Sequence, residues 1–343
     1  MSNIAALYFV KTELETLAAE IIANEQERGS TNVMVYQSKL APHCIKPGAF
    51  ELKLSLPYNR SRGMFAQKRE ILRNLNSLRD SLRATGKRFA EIHVHLPRLS
   101  TAKTNYAINY LKKAFPKTRL TVRLIPHGLV SVNLIPLSAS KRWKYLKKKL
   151  NPLNLLFPKL VYCPPTKDLV GGLDDIVDRV YTFKGLATPY PDFKVVELAD
   201  LKGYIQGGNA RPVERSAVII GQSLLTHHFM SEADHATVEA RIHEWLKQHG
   251  YDKVFYSRHP RAGDKLDFHR DEYQPLVQNG AVEIALCEVQ PEVVISCYST
   301  ALVTAKILFG EGIRALSFGL EFAKTDKRDG LLAYFEEVGI ELY

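Results

Sequence analysis

The stretch "EIHVHLPRLSTAKTNYAINYLKKAFPKTRLTVRLI", residues 91–125, decides the fold class. "EIHVHL" reads as a strand, "AKTNYAINYLKKAF" as a helix and "RLTVRLI" as a second strand. Two strands separated by a full helix are parallel neighbours joined by a crossover, because an antiparallel pair needs only a short turn. The same alternation extends upstream. "ALYFV" (6–10) reads as a buried strand, and "TELETLAAEIIA" as a helix with Leu14, Leu17 and Ile21 on one face. "NVMVYQ" is a further strand, and "MFAQKREILRNLNSLRDSLRAT" a long amphipathic helix.

The alternation returns nearer the C-terminus. "RSAVIIG" reads as a strand and "SEADHATVEARIHEWLKQHG" as a helix opened by a capping pair, Ser231 and Asp234. "KVFYSR", "VEIAL" and "PEVVISC" read as strands, "TALVTAKILFG" as a helix and "IRALSF" as a strand. The expected architecture is α/β, with two Rossmann-like parallel-sheet domains facing a central cleft. The expected boundaries are 1–165 for a first domain carrying a basic helix at 139–150, 166–212 for an irregular Gly- and Pro-rich interdomain segment, and 213–343 for a second domain.

Composition limits the class of partner. The 343 residues are 45% hydrophobic and 24% charged, as in a soluble globular protein of two domains. No apolar run reaches the roughly 18 residues a spanning helix needs. The opening "MSNIAALYFVKTELETLAAE" has only a short apolar run and no basic n-region, so a cytoplasmic protein is expected. Four scattered cysteines with no CxxC spacing point to free thiols rather than disulfides or zinc. The net charge is +11, and it is concentrated: between Glu91 and Asp168 no acid occurs, while 15 Lys and Arg do. A one-sign field of this kind suggests an anionic partner, whether nucleic acid, acidic lipid headgroups or an acidic glycan; the alternative is a basic surface kept for solubility.

Within that stretch, "KRWKYLKKKL" (141–150) carries Lys141, Arg142, Lys144, Lys147, Lys148 and Lys149, with Trp143, Leu146 and Leu150 on one helical face. "NLLFPKL" then adds apolar residues. The pattern suits a helix lying at an anionic membrane surface. The alternative is a solvated basic helix that packs its Trp inward. No nucleic-acid partner is expected, because no recognition fold or regular aromatic interleaving accompanies the charge.

The unusual residues fall at predicted carboxyl ends of strands, where open parallel sheets bind ligands. "IIGQSL" places Gly221, Gln222 and Ser223 there, "YSRHPR" places His259 and Pro260 between Arg258 and Arg261, and "CYSTAL" places Ser299 and Thr300. "LIPHGLV" places His127 at the same position in the first domain. Ser299 and Thr300 open a helix, where hydroxyls and free N–H groups can hold a phosphate oxygen or simply cap the helix. His259, with Pro260 holding it extended, can donate to a phosphate or be a loop histidine with no role. Gly221 and Gln222 allow a ligand to come close to the backbone, or simply mark a turn. No DxD sequence or metal-ligand cluster is apparent, and His227–His228 reads as surface.

Taken in order, "GQS" at 221–223, "HP" at 259–260 and the Ser299–Thr300 pair resemble the bacterial sialyltransferases and polysialyltransferases of capsule and lipooligosaccharide synthesis. The opening "LYFVKTELETLAAE" is similar to that family's first strand and helix, with "TELE" where a "TPLQ"-like stretch is common. The resemblance spans about residues 4–320 and implies a GT-B fold. It also implies inverting transfer from a CMP-activated nonulosonic acid to a glycan or glycolipid hydroxyl, with no metal or other cofactor. Peripheral attachment to the inner membrane would suit a lipid-linked acceptor. One departure stands out. The family has two acids and a glycine after the strand that ends here near Ile125, the second acid being the general base. This chain has Pro126–His127–Gly128, and its nearest carboxylates in sequence are Glu91 and Asp168. An imidazole, with a reference pKa of about 6.5, suits the base role near neutral pH. Two other readings stay open: a transferase with another nucleotide donor, of the Kdo or polyol-phosphate type, and a non-catalytic basic surface-binding protein.

Overall fold

The computed structural model describes residues 3–37, 42–46, 48–57, 63–130, 134–205, 212–259, 265–324 and 328–343. The chain divides into two compact units, Met1–Ala199 and Asp200–Tyr343.

The first unit is built from strand β1 (Ile4–Val10), helix α1 (Glu13–Glu25), β2 (Thr31–Tyr36), β3 (Leu52–Ser55), α2 (Met64–Ala84), β4 (Glu91–Leu96) and α3 (Ala102–Ala114). It continues through β5 (Arg119–Leu124), α4 (Ala139–Lys149), the single turn α5 (Leu153–Leu156), β6 (Val177–Thr182) and β7 (Val195–Glu197). The strands form one sheet in the order β3-β2-β1-β4-β5-β6-β7, every pairing parallel. The winding reverses between β1 and β4, which makes their carboxyl ends a topological switch point.

Strand alternation sorts the side chains to two faces. Leu7, Val94, Val122 and Leu124 face a core completed by Leu75, Leu78 and Leu82 of α2 and Ile108 and Leu111 of α3. The other face buries a polar layer. His93, His95 and Arg123 surround the Glu27 carboxylate there: His93 Nδ1 lies 2.8 Å and His95 Nε2 3.4 Å from Oε1, and the Arg123 guanidinium contacts the same oxygen. The His95 ring stacks on Tyr8, with centroids 4.4 Å apart.

One expectation changes here, and one strand was not foreseen. β3, in "LKLS", alternates apolar and polar residues but is only four residues long. Residues 166–212, expected to be irregular, supply β6 and β7, which widen the first sheet, and helix α6 (Leu201–Ile205), which opens the second unit. β6 reads "VDRVYT", and its two central charges hide the strand period.

The second unit contains α6, β8 (Ser216–Ile220), α7 (Glu232–Gln248), β9 (Lys253–Ser257), β10 (Gln274–Pro275) and α8 (Val282–Val289). It ends with β11 (Val293–Ser296), α9 (Thr300–Phe309), β12 (Arg314–Ser317), α10 (Arg328–Glu337) and β13 (Glu341–Leu342). Its sheet runs β10-β9-β8-β11-β12-β13, again with every pairing parallel and the switch between β8 and β11. The Ser231 cap is present, its hydroxyl accepting from the Asp234 N–H at 3.1 Å. "VEIAL", expected as a strand, is instead the start of α8. A short apolar run carries no period that separates strand from helix. Here the neighbour decides: Glu283 of α8 is fully buried and accepts from the Thr304 hydroxyl of α9 at 2.7 Å.

Candidate functional site

In the first unit the site begins where β1 gives way to α1. Thr12 caps the helix, its hydroxyl accepting from the Glu15 N–H at 3.3 Å. Glu15 Oε2 accepts in return from the N–H groups of Lys11, at 2.6 Å, and Thr12, at 3.3 Å. This is a capping box, and it leaves one carboxylate oxygen uncommitted. That oxygen, Oε1, lies 2.5 Å from Nδ1 of His127. Oε1 makes no well-aligned hydrogen bond, and the imidazole nitrogen is the group that faces it. Glu15 is 1% exposed and His127 23% exposed, so a buried carboxyl group lies against a histidine that reaches solvent. After His127, Gly128 turns the chain at φ 58°, a conformation that strains any L side chain, and a 3-10 turn over Gly128–Val130 follows.

The sequence therefore missed a partner. The carboxylate that serves His127 is neither Glu91 nor Asp168 but Glu15, from the other side of β4 in the sheet order β1-β4-β5. The available signal was the T-x-x-E spacing of Thr12 and Glu15, which marks a buried, orientated carboxylate at a strand's carboxyl end.

In the second unit β9, β8 and β11 are adjacent, so the loops that follow them share one sheet edge. Gly221, Gln222 and Ser223 follow β8, His259 follows β9, and Ser299 and Thr300 follow β11. Pro260 and Arg261 lie outside the described residues. Gln222 ties two of these loops together. Its side-chain oxygen accepts from the N–H groups of Cys297, at 3.1 Å, and Tyr298, at 3.0 Å, and from the Ser296 hydroxyl at 3.2 Å. Gly221 is fixed by packing: a Cβ there would meet the Tyr256 hydroxyl at 2.3 Å. Its role is thus close approach to β9 rather than simply a turn. Ser299 caps α9, its hydroxyl oxygen accepting from the Ala301 N–H at 3.2 Å.

Asp267 supports this edge and was not foreseen. It is 1% exposed and accepts from the Leu224 N–H at 2.7 Å, just after Ser223, while His235 Nε2 sits 3.3 Å from its other oxygen. His227 and His228 are exposed, as a surface reading expects.

Glu27, His93 and His95, which were not foreseen as a cluster, form a group with the donor types of a transition-metal site. The group does not fit a dication. The Arg123 guanidinium already occupies Glu27 Oε1, so an ion bound there would sit against a fixed positive charge.

Residues 55–313 match the model of the family described as alpha-2,8-polysialyltransferase. Comparison with curated proteins finds no match. Among solved structures, the alpha/beta-galactoside alpha-2,3-sialyltransferase of Photobacterium phosphoreum aligns with a TM-score of 0.57 at 10% identity, covering 100% of this chain and 99% of that one. A putative UDP-N-acetylglucosamine 2-epimerase of Listeria monocytogenes aligns with a TM-score of 0.51 at 12% identity, covering 97% of this chain and 82% of that one. At such identities the likeness shows the fold alone, and that fold is GT-B, with its two parallel-sheet domains. The family match takes in more than half of the chain and lies on a sialyltransferase fold: the chain belongs to the alpha-2,8-polysialyltransferase family and is a sialyltransferase-like glycosyltransferase.

Proposed function

We propose that the protein transfers a nonulosonic acid, sialic acid by default, from a CMP-activated donor to a hydroxyl of a surface glycan, with inversion at the anomeric carbon. The family membership supports the donor class, and the contact between His127 and Glu15 is the observation that carries the mechanism. The acceptor O–H bond breaks as its oxygen attacks the anomeric carbon, and the imidazole of His127 takes the proton. Glu15 holds the ring by Nδ1 and offsets the imidazolium charge as it develops. The bond from the anomeric carbon to the phosphate oxygen breaks, and CMP leaves with the electron pair.

The second unit serves the leaving group. His259, the hydroxyls of Ser299 and Thr300, and the N-terminal end of α9 stabilise the developing phosphate charge. Gly221, Gln222 and Ser223 shape the loop that holds the nucleotide. In this mechanism protein donors do the work that a metal ion does elsewhere. The acceptor is lipid-linked, and the protein works as a peripheral protein at the cytoplasmic face of the inner membrane. Among the described residues no helix is long and apolar enough to cross a membrane.

A thermal-shift series with CMP, CDP, UDP and GDP tests the donor class. At about 100 times its Kd a nucleotide adds roughly 2.7 kcal/mol of stability, a readily measured rise in Tm. CMP is expected to give the largest rise. A UDP- or GDP-selective response moves the reading to another donor class, and no response to any nucleotide favours a non-catalytic binding protein.

A further inference from the structure

We propose that α4, α5 and the start of α2 form one docking face for an anionic lipid bilayer. The proposal deepens the peripheral-membrane reading above, on which it rests. Helix α4 is amphipathic, with its apolar stripe turned away from the protein. The residue it buries is Tyr145, packed on Tyr162 with ring centroids 5.8 Å apart and the Lys148 ammonium over both rings. The stripe of Trp143, Leu146 and Leu150 faces outward, with Trp143 59% exposed. The alternative of a helix that packs its Trp inward therefore fails, and the apolar side of this helix is left to solvent.

Other segments extend the stripe. Leu155 and Leu156 of α5 are 86% and 67% exposed, and Met64 and Phe65, at the first turn of α2, are about half exposed. The pieces are fastened to each other. The Asn151 amide meets the Met64 sulfur at 3.1 Å, and the Phe65 ring lies 5.3 Å from that of Phe157. The Lys68 ammonium contacts the Asn154 side chain, whose amide donates to the Lys149 carbonyl at 2.6 Å. Two segments far apart in sequence thus present one cluster of large apolar side chains. Single exposed apolar residues are ordinary on a soluble protein, but a contiguous cluster marks an interaction surface.

Charge selects the occupant. Lys141, Arg142, Lys144, Lys147 and Lys149 are exposed around the stripe, and the chain holds no carboxylate between Glu91 and Asp168. A second copy of the chain docked on this face would set cation against cation. A polyanion would meet the lysines but leave the leucines in water. An anionic bilayer answers both: headgroups take the ammonium groups, and the acyl boundary takes the leucines, Trp143 and Met64.

The chain's two tryptophans give a direct readout, since Trp245 is buried and Trp143 is not. Full-length protein is mixed with phosphatidylcholine vesicles, with and without phosphatidylglycerol, and followed by cosedimentation and tryptophan emission. Binding and a blue shift are expected only with phosphatidylglycerol. Trp143→Phe should keep most of the binding and lose the shift. The double variant Leu155→Ser, Leu156→Ser, at exposed positions that do not threaten folding, should bind about tenfold or more weakly while its thermal shift with CMP is unchanged. No sedimentation with anionic vesicles at low salt overturns the proposal. So does binding that the leucine variant leaves intact, or a concentration-dependent dimer that the same variant abolishes. No sugar donor enters the assay, so failure of the transfer reading and failure of the docking face are told apart.

Discussion

At the residue scale, Glu15 divides its work between its two oxygens. Oε2 closes the capping box on the N–H groups of Lys11 and Thr12, while Oε1 is left to His127. Glu15→Gln separates the two tasks. The amide keeps a carbonyl oxygen for the cap and loses the charge that supports an imidazolium. The variant should fold, bind CMP as the parent does, and lose turnover by about tenfold or more with KM little changed. Equal losses in KM and turnover, or a collapse of Tm, would assign Glu15 a purely structural role. The measurement is steady-state kinetics beside a thermal melt.

At the scale of elements, the switch point of the second sheet is held by one side chain. Gln222 bridges the loops after β8 and β11, satisfying two backbone N–H groups and a hydroxyl. Gln222→Leu takes the acceptor from the Cys297 and Tyr298 N–H groups, while the Ser296 hydroxyl keeps the Ile220 carbonyl at 2.8 Å. A loss of roughly 1–3 kcal/mol in denaturant unfolding is expected, together with weaker CMP binding, because the Ser299 loop loses its brace. Unchanged CMP affinity would detach Gln222 from the donor site.

The same elements show how far a sequence can be read. Strands and helices with a clear period, such as β4, α3, β5 and α7, were legible, and so were the strand ends where His127, Gln222, His259 and Ser299 stand. β6 was not, because Asp178 and Arg179 interrupt its apolar pattern, and α8 was not, because "VEIAL" is apolar in either conformation. Glu15 escaped as a partner of His127 because their meeting is a property of the sheet order, which sets β1 and β5 on either side of β4. Local periodicity carries no record of such a neighbour.

At the scale of the whole molecule, the buried layer around Glu27 sets a pH limit. Burial pushes His95 down to about 4, from an ordinary value near 6.5. A histidine kept neutral by folding costs stability as pH falls through that interval, roughly 3 kcal/mol at full titration. Burial opposes the charge on Glu27, but the contacts of His93 and His95 outweigh it and hold the carboxyl well below the usual range. That contribution is present above about pH 4.5 and is lost in stronger acid. Stability should therefore fall in two stages below neutrality. His95→Phe, which preserves the stack on Tyr8, should flatten the stage between about pH 6.5 and 4. Denaturant melts across that range check the prediction, and an unaltered slope in the variant would refute the assignment.

Activity tests the account most directly. Purified protein is incubated with CMP-sialic acid and related CMP-nonulosonates, with and without a glycan acceptor, and released CMP is measured for the parent and for His127→Ala. The account predicts donor-dependent release by the parent. It predicts a fall of about 10²- to 10⁴-fold in the variant, with CMP binding retained. Equal release by the two proteins would remove His127 from the mechanism, and no release from any CMP-sugar would contradict the transferase reading itself.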